Sequence, residues 1–216
     1  MNTDFARLQM VNQQVRGWNV YDEDVLSMLR EMPREQFVPP GFEMLAFADT
    51  AIAIGHGQHM MTPTIEGRVL QALGLTGTEN VLEIGTGSGF MTACLASLSA
   101  HVTSIDIFSD FLSGAEDKLA SCGIQNVDLL QMDAMRELPD STFDAIAVTG
   151  SVQSFEPRFV EALEPHGRLF IVEGDAPAME AKLVERTDTH DWRTISLFET
   201  SLAPLVHGAK PPQFSF

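Results

Sequence analysis

The segment VLEIGTGSGF, residues 81–90, decides the fold of this chain. Its first four residues are mostly apolar and typical of a buried strand, and the glycines that follow predict a tight turn into a helix. Glycine lets the backbone adopt conformations that a Cβ forbids, and it lets a ligand approach the main chain closely. A helix that begins there points its free NH groups into the same space. The segment therefore predicts a strand, turn and helix that bind a nucleotide-type cofactor.

The spacing of the glycines discriminates between cofactors. A dinucleotide fingerprint, G-x-G-x-x-G, would place its third glycine at position 90, where this chain has Phe90. The chain instead reads Glu-x-Gly-x-Gly-x-Gly from Glu83 to Gly89, which resembles the first motif of the S-adenosylmethionine-dependent methyltransferases. An acid before the glycines is unfavourable beside a pyrophosphate, but it is compatible with a phosphate-free cofactor that carries an amino group and a sulfonium charge. The motif favours S-adenosylmethionine, with S-adenosylhomocysteine as the product.

An alternation of strand and helix patterns continues from the glycine segment. Apolar strand candidates lie at residues 81–84, 102–105, 127–131, 143–149 and 168–172, with helix candidates at 89–98, 109–120 and 155–163. Near-continuous apolar strands separated by helices indicate a parallel sheet that is covered on both faces. Residues 181–186 and 193–202 predict a terminal hairpin with an antiparallel strand. The fold class is therefore α/β, doubly wound and mostly parallel, with one antiparallel strand.

In such a sheet, ligands bind beyond the carboxyl ends of the strands. Asp106 ends the apolar run 102–105, and its carboxylate can accept hydrogen bonds from both ribose hydroxyls. Asp133 can accept a hydrogen bond from the adenine amino group, although an acid at this position is also typical of a helix cap or a solvated turn. The predicted cofactor-binding residues are Glu83, Gly85, Thr86, Gly87, Ser88, Gly89, Asp106, Ile107, Asp133, Ala134 and Thr149.

The first 64 residues predict short elements in front of the sheet. Asp4 caps a helix whose apolar face comprises Phe5, Leu8, Val11 and Val15. Residues 22–31 predict a second helix, and residues 51–54 predict a short strand before a loop at 55–62. Thr62 followed by Pro63 is a typical helix start, with a hydroxyl cap and a proline in the first turn.

Composition limits the partners. The chain has 216 residues and a formal net charge of -17, from 13 basic and 30 acidic side chains. This charge repels phosphate backbones and anionic membranes, so no nucleic acid and no membrane partner is expected. No apolar run is long enough to span a bilayer and no signal peptide is evident, so a cytoplasmic location is expected. The only cysteines, Cys94 and Cys122, have no metal-ligand spacing, and no metal is expected.

Ordered motifs at consistent spacing extend over nearly the whole chain. They are Met10-Val11, PREQFVP at 33–39, AFAD at 46–49, Gly55-x-Gly57-Gln58 with Pro63, residues 81–90, FDAI at 143–146, GRL at 167–169 and Pro204-Leu205. Together they resemble the protein-L-isoaspartate (D-aspartate) O-methyltransferase family. The resemblance implies a seven-stranded methyltransferase sheet with additional elements at both ends. It also implies methylation of isoaspartyl carboxylates in damaged peptides and proteins, which begins their repair.

A length of 216 residues suits one α/β domain, so a single methyltransferase domain is expected over residues 1–216. Residues 1–50 are expected to form a helical cap, and residues 51–64 an acceptor loop. Residues 65–174 are expected to form the cofactor-binding core, and residues 175–216 the C-terminal strands.

One motif departs from the family. The family typically reads Gln-Thr-Ile-Ser-Gln-Pro before the helix at Pro63, whereas this chain reads QHMMTP over residues 58–63. Met61 therefore replaces the serine whose hydroxyl is expected to hold the acceptor. Either the change is neutral and the Thr62 hydroxyl serves instead, or the acceptor site is more apolar and partly lined by His59. The predicted substrate-loop residues are Gln58, Met60 and Met61.

The acceptor decides whether a catalytic base is needed. A carboxylate is already ionised at neutral pH, so methyl transfer to it needs only an in-line arrangement and the exclusion of water. A phenol, alcohol or amine acceptor would need a base, and His56 or His59 could serve. The catalytic candidates are His59 and Thr62. The alternatives are a methyltransferase for a small molecule with His59 as base, and a protein that binds the cofactor without catalysis.

Overall fold

The computed structural model describes residues 3–188 and 191–208. A seven-stranded sheet forms its centre, and helices and a two-stranded hairpin surround it. The helices are α1 (Thr3–Gln9), α2 (Glu23–Glu31), α3 (Pro63–Leu73), α4 (Phe90–Leu98), α5 (Ser109–Ser121) and α6 (Pro157–Glu161). The strands are β1 (Ile52–Gly55), β2 (Gln58–Met60), β3 (Asn80–Ile84), β4 (His101–Asp106), β5 (Val127–Gln131), β6 (Phe143–Val152), β7 (Leu163–Asp175), β8 (Ala178–Arg186) and β9 (Trp192–Thr200).

The strand order in the large sheet is β5-β4-β3-β6-β7-β8-β9. The pairings from β5 to β7 are parallel, and β8 is antiparallel to both of its neighbours. This arrangement confirms the predicted α/β fold, with a mostly parallel sheet and one reversed strand. Because β4 and β6 lie on opposite sides of β3, the chain changes direction across the sheet there, which is where ligands bind in such folds.

The central strand β3 shows why its sequence is so apolar. Val81 packs in a core cluster on one face of the sheet, while Leu82 and Ile84 pack in a second cluster on the other face. Helices α3, α4 and α5 contribute to the first cluster, and α6 contributes to the second. Both faces are therefore buried, as a parallel sheet requires.

The N-terminal helix departs from its predicted face. Phe5 and Leu8 are exposed, at 61% and 42%, whereas Val11 and Val15 are buried. After α1 the helix continues as a π-helical turn, Met10–Val15, and then a 3-10 turn, Arg16–Trp18. These turns do not keep the 3.6-residue period of an α-helix, so a face extrapolated from one end fails at the other. The second predicted helix is confirmed as α2, and Asp22 caps it by accepting hydrogen bonds from two backbone NH groups.

The predicted loop at residues 55–62 is wrong in part, because β1 and β2 form an antiparallel hairpin there. Gly55, His56 and Gly57 have φ values of 111°, 51° and 73°, which make the tight turn between the strands. The second strand escapes sequence recognition since it is only three residues long and lacks β-branched side chains. Helix α3 begins at Pro63 as predicted, whereas α6 is shorter than the predicted 155–163.

Within the described residues, no helix has the length and apolar character needed to cross a membrane.

Candidate cofactor and acceptor site

A cavity opens at the carboxyl ends of β3, β4 and β6. It brings together most residues predicted for the cofactor and the acceptor: Gly85, Thr86, Gly87, Ser88, Asp106, Ile107, Asp133, Ala134 and Thr149, with Gln58, His59, Met60 and Met61. Glu83, Gly89 and Thr62 lie outside its lining, and each has a different role that the geometry explains.

The glycine turn has the backbone that its sequence predicts. Gly85, Gly87 and Gly89 have φ values of 102°, 50° and 85°. A Cβ at Gly85 would lie 2.4 Å from Thr149 Oγ1, and a Cβ at Gly89 would lie 2.8 Å from the Cβ of Ala115 on α5. Glycine is therefore required at Gly85 by the cavity wall and at Gly89 by helix packing. Thr149 also donates a hydrogen bond of 2.7 Å to the Gly85 carbonyl, so it supports the turn.

Asp106 holds the glycine turn against the end of β4. One of its carboxylate oxygens accepts a hydrogen bond from the Gly87 NH and the other accepts one from the Phe108 NH, both at 2.9 Å. Burial raises the pKa of Asp106, and these backbone hydrogen bonds oppose the rise. Each oxygen keeps a further lone pair, so the carboxylate can still accept ribose hydroxyls. Phe108 and Phe111 also form part of the cavity wall, although no sequence motif marks them.

Glu83 lies beneath the glycine turn and is fully buried. One of its oxygens accepts hydrogen bonds of 2.5 Å from the hydroxyls of Thr92 and Ser104. The other has no hydrogen-bond partner within the described part of the chain. Burial raises the pKa of Glu83 to about 8, although both hydroxyls oppose the rise. The Ser104 hydroxyl also shares a hydrogen bond of 2.6 Å with the Thr86 hydroxyl. Glu83 is therefore connected to the glycine turn through Ser104.

Lys118 provides a second support for the glycine turn. Its ammonium donates hydrogen bonds to the Ser88 carbonyl at 3.1 Å and to the Phe37 carbonyl at 3.2 Å. Burial lowers its pKa. The lysine joins the glycine turn to the N-terminal part of the chain, and no local sequence pattern reveals such a contact.

Asp133 lies in the cavity lining and is also engaged in a turn. One of its carboxylate oxygens accepts a hydrogen bond from the Met135 NH at 3.0 Å. The other oxygen pairs with Arg136 at 3.0 Å and with His207 Nδ1 at 2.8 Å. His207 belongs to a C-terminal segment, residues 202–208, that pairs with Ser151 near the cavity. Leu205 from this segment also lines the cavity.

The acceptor segment, residues 58–62, forms another part of the lining. Met60 and Met61 are buried there, while His59 is exposed at the edge. The Thr62 hydroxyl accepts a hydrogen bond from the Ile65 NH and shares one with the Thr64 hydroxyl, so it caps α3. This hydroxyl is therefore engaged at the start of α3 and lies outside the cavity lining.

His56 is engaged elsewhere. Its ring stacks on Phe108 with centroids 4.0 Å apart, and its Nε2 lies 2.9 Å from a carboxylate oxygen of Asp110. This hydrogen bond lowers the pKa of Asp110. His56 does not line the cavity, so His59 is the loop histidine that faces it.

The charges of the lining fit the predicted cofactor. Among the described residues that line the cavity none is lysine or arginine, whereas Asp106 and Asp133 supply carboxylates. A pyrophosphate would have no cation to pair with, but a sulfonium and an ammonium group are compatible with these acids. Ile107 and Phe108 supply the apolar surface that an adenine ring needs. Across residues 3–188 and 191–208 no group of His, Cys, Asp or Glu side chains is arranged to hold a metal ion.

Comparisons with known proteins agree on one family. The model of the protein-L-isoaspartate(D-aspartate) O-methyltransferase family matches residues 7–210. The protein-L-isoaspartate O-methyltransferase 1 of Rhodopseudomonas palustris strain HaA2 is 36% identical over 208 residues, which cover 94% of this chain and 85% of that protein. The protein-L-isoaspartate O-methyltransferase of Aliivibrio fischeri strain ES114 is 33% identical over 204 residues, covering 94% and 97%.

Solved structures share the fold. One is a Plasmodium falciparum protein described as a protein-L-isoaspartate O-methyltransferase, in complex with S-adenosyl-L-homocysteine. It has a TM-score of 0.81 and 17% identity, and the match covers 92% of this chain and 97% of that one. Another protein-L-isoaspartate O-methyltransferase has a TM-score of 0.79 and 20% identity, covering 92% and 65%. This chain belongs to the protein-L-isoaspartate (D-aspartate) O-methyltransferase family and is an S-adenosylmethionine-dependent methyltransferase.

Proposed function

We propose that this chain methylates the free carboxylate of isoaspartyl residues in damaged peptides and proteins. The observation that carries the proposal is the shared cavity, in which the acceptor segment and the glycine turn line the same space. The relatives that span nearly the whole chain are named for this acceptor. The net charge of -17 supports a peptide over a nucleic acid as the acceptor. We also propose a cytoplasmic location, which cell fractionation tests.

The proposed cofactor residues make different contacts with S-adenosylmethionine. Gly85 and Gly87 let the cofactor approach the backbone, Asp106 accepts its ribose hydroxyls, and Asp133 accepts from its adenine amino group. Ile107 and Ala134 provide apolar contacts. Thr86, Ser88 and Thr149 complete the wall, while Glu83 and Gly89 hold the turn in place.

Methyl transfer to a carboxylate requires no catalytic base on the acceptor side of the cavity. Bound S-adenosylmethionine supplies a methyl group on a sulfonium, which an ionised carboxylate oxygen can accept in line with the departing sulfur. The protein has to orient that oxygen and exclude water, and no proton is removed from the acceptor. Met60 and Met61 suit the exclusion of water because both are buried and apolar. The proposal therefore requires no catalytic role for His59 or Thr62.

Methylation assays with a matched pair of peptides test the acceptor. The protein is incubated with labelled S-adenosylmethionine and a peptide that contains one isoaspartyl residue, beside the same peptide with a normal aspartyl residue. We expect label on the isoaspartyl peptide alone. Label on neither peptide, from protein that binds S-adenosylhomocysteine in calorimetry, would refute this acceptor.

A second candidate function is methylation of a small molecule with His59 as the base. The buried methionine at position 61 and the presence of His59 in the lining favour it. His59→Gln separates the two candidates, with His101→Gln as control because His101 lies on β4 and contacts Asp128. For a carboxylate acceptor, His59→Gln should lower kcat by less than about threefold. Loss of a general base would lower it about a hundredfold or more.

A further inference from the structure

A buried arginine connects the acceptor segment with the rest of the site. Arg34 is fully buried in a 3-10 turn, Arg34–Gln36, that precedes the hairpin in the chain. Its Nη2 donates a hydrogen bond of 2.8 Å to the Met61 carbonyl, and its Nε donates one of 2.8 Å to the Ala46 carbonyl. The guanidinium lies over the ring of Phe90, with its carbon 4.7 Å from the ring centroid.

These contacts reach both parts of the cavity. Phe90 is the first residue of α4 and directly follows the glycine turn, whereas Met61 belongs to the acceptor segment. A planar guanidinium can donate in several fixed directions and stack on an aromatic ring at the same time. Arg34 therefore sets the position of the acceptor segment relative to the helix that carries the cofactor turn.

Glu66 holds the guanidinium in this orientation. Both of its carboxylate oxygens accept hydrogen bonds of 2.6 Å from Nη1 of Arg34. Glu66 lies on α3, lines the cavity and is only 2% exposed. Burial raises its pKa to about 7, and the charge and hydrogen bonds of Arg34 oppose that rise. Without the arginine, Glu66 would be an unpaired buried acid beside the acceptor.

We infer that Arg34 is a positioning residue for methyl transfer, which fixes the acceptor segment through the Met61 carbonyl while Glu66 keeps the guanidinium in place. The inference rests on the proposed function only for the identity of the acceptor. The serine that the family has at position 61 would contribute a side-chain hydroxyl, but Arg34 binds the backbone at that position. The contact can therefore persist whichever side chain stands there.

Arg34→Lys tests the inference, because a lysine keeps the positive charge but cannot reach all of these acceptors in the geometry of a guanidinium. The matched control is Arg7→Lys. Arg7 is also largely buried and pairs with Glu35 and Asp4, but it contacts neither the acceptor segment nor α4 in any described interaction. Both variants remove a buried guanidinium, and only one of them should affect the site.

Hydrogen exchange and kinetics give independent results. We expect the amides of residues 58–62 to exchange at least about tenfold faster in Arg34→Lys than in wild type, because loss of a charge-assisted hydrogen bond has this magnitude. The acceptor KM should rise by about the same factor, while the dissociation constant for S-adenosylhomocysteine changes less than about twofold. Arg7→Lys should leave the exchange of residues 58–62 and the acceptor KM unchanged.

The exchange measurement needs no acceptor, so it decides the inference even if the isoaspartyl proposal fails. Equal exchange of residues 58–62 in Arg34→Lys and Arg7→Lys would show that Arg34 is merely structural. If Arg34→Lys does not fold, Glu66→Gln replaces it, since an amide keeps the volume and one acceptor oxygen. In that variant, unchanged exchange at residues 58–62 would overturn the inference.

Discussion

The two halves of the cavity are built in different ways. The cofactor half comprises the glycine turn, residues 85–89, with Asp106 and Asp133 at neighbouring strand ends, and hydrogen bonds to nearby backbone groups hold it. The acceptor half comprises the acceptor segment, and a guanidinium 27 residues earlier in the chain holds its Met61 carbonyl. Short sequence motifs therefore identify most residues of the cofactor half, whereas no motif marks the arginine that holds the acceptor half.

Each half also has a buried glutamate, and the two differ in their partners. Glu66 pairs with Arg34, whereas Glu83 accepts hydrogen bonds only from hydroxyls among its described contacts. Burial raises the pKa of both groups, but only Glu66 has a cation that opposes the rise. For Glu83 the burial that favours the neutral form outweighs the hydroxyl donors that favour the charged form, which raises its pKa to about 8.

The largest effect is expected at the glycine turn. In Gly85→Ala the new methyl group would lie 2.4 Å from Thr149 Oγ1, at a φ of 102° that disfavours alanine. We expect affinity for S-adenosylhomocysteine, measured by calorimetry, to fall about a hundredfold or more, because backbone strain and overpacking each cost about 1–3 kcal/mol. Gly114→Ala is the control, since Gly114 lies in α5 with open space around it. Unchanged affinity in Gly85→Ala would show that cofactor binding does not require glycine at position 85.

The pH dependence of stability should distinguish the two glutamates. Folded Glu83 keeps its proton up to a pH of about 8, whereas the unfolded side chain ionises near 4.5. Between these values the folded state binds more protons, so the contribution of Glu83 to stability falls as pH rises through this window. The glutamine in Glu83→Gln cannot ionise. Between pH 5 and 8 the free energy of unfolding should therefore fall less in this variant than in wild type, by on the order of a few kcal/mol.

Urea unfolding at several pH values measures this difference. Glu66→Gln is the companion variant, because it removes the charge that pairs with Arg34 and should destabilise the protein at pH 8. Equal pH slopes in wild type and Glu83→Gln would show that the carboxyl under the glycine turn is ionised.

Met61→Ser examines the acceptor half. Restoring the hydroxyl that the family has at this position should raise kcat/KM for an isoaspartyl peptide about tenfold, since a hydroxyl can donate to the acceptor carboxylate. The buried methionine is lost, so stability should fall by about 2–3 kcal/mol. Met60→Ser is the control, because Met60 is equally buried and should lose stability without a gain in activity. No gain in isoaspartyl methylation in Met61→Ser would favour the small-molecule candidate.

The smallest effect is expected at the C-terminal segment. His207 contacts Asp133, but its side chain is about half exposed, and exposed ion pairs contribute little. His207→Ala should weaken S-adenosylhomocysteine binding by less than about threefold, since exposed pairs contribute at most about 1 kcal/mol. Asp133→Ala should weaken it more, as it removes a cavity residue. A larger loss from His207→Ala than from Asp133→Ala would place the C-terminal segment in the cofactor half.

Much of the cofactor half could be predicted because its signals are short in sequence. The glycine turn and Asp106 follow strands whose apolar residues identify them, and the parallel sheet brings the strand ends together. Glu83 shows the limit of this reasoning. Its position in the motif suggested cofactor contact, but its side chain points under the turn because alternate residues of a strand face opposite sides.

The acceptor half was harder to predict. The second strand of the hairpin is too short to give a periodic signal, and Glu66 carries no motif that marks it as a cavity residue. Thr62 was a candidate for the missing hydroxyl, but capping α3 engages it. Its role could be resolved only by knowing the direction of its side chain.

The sequence by itself determined the α/β fold, the cofactor class and the family. Glycine spacing, strand periodicity and each of the ordered motifs can be recognised within a few neighbouring residues. Only the tertiary structure decided what supports the site. The contacts of Arg34 with Met61 and of Lys118 with Ser88 join residues about 30 positions apart. Such contacts depend on how elements pack in three dimensions, and the stabilisation they provide leaves no periodic pattern in the sequence.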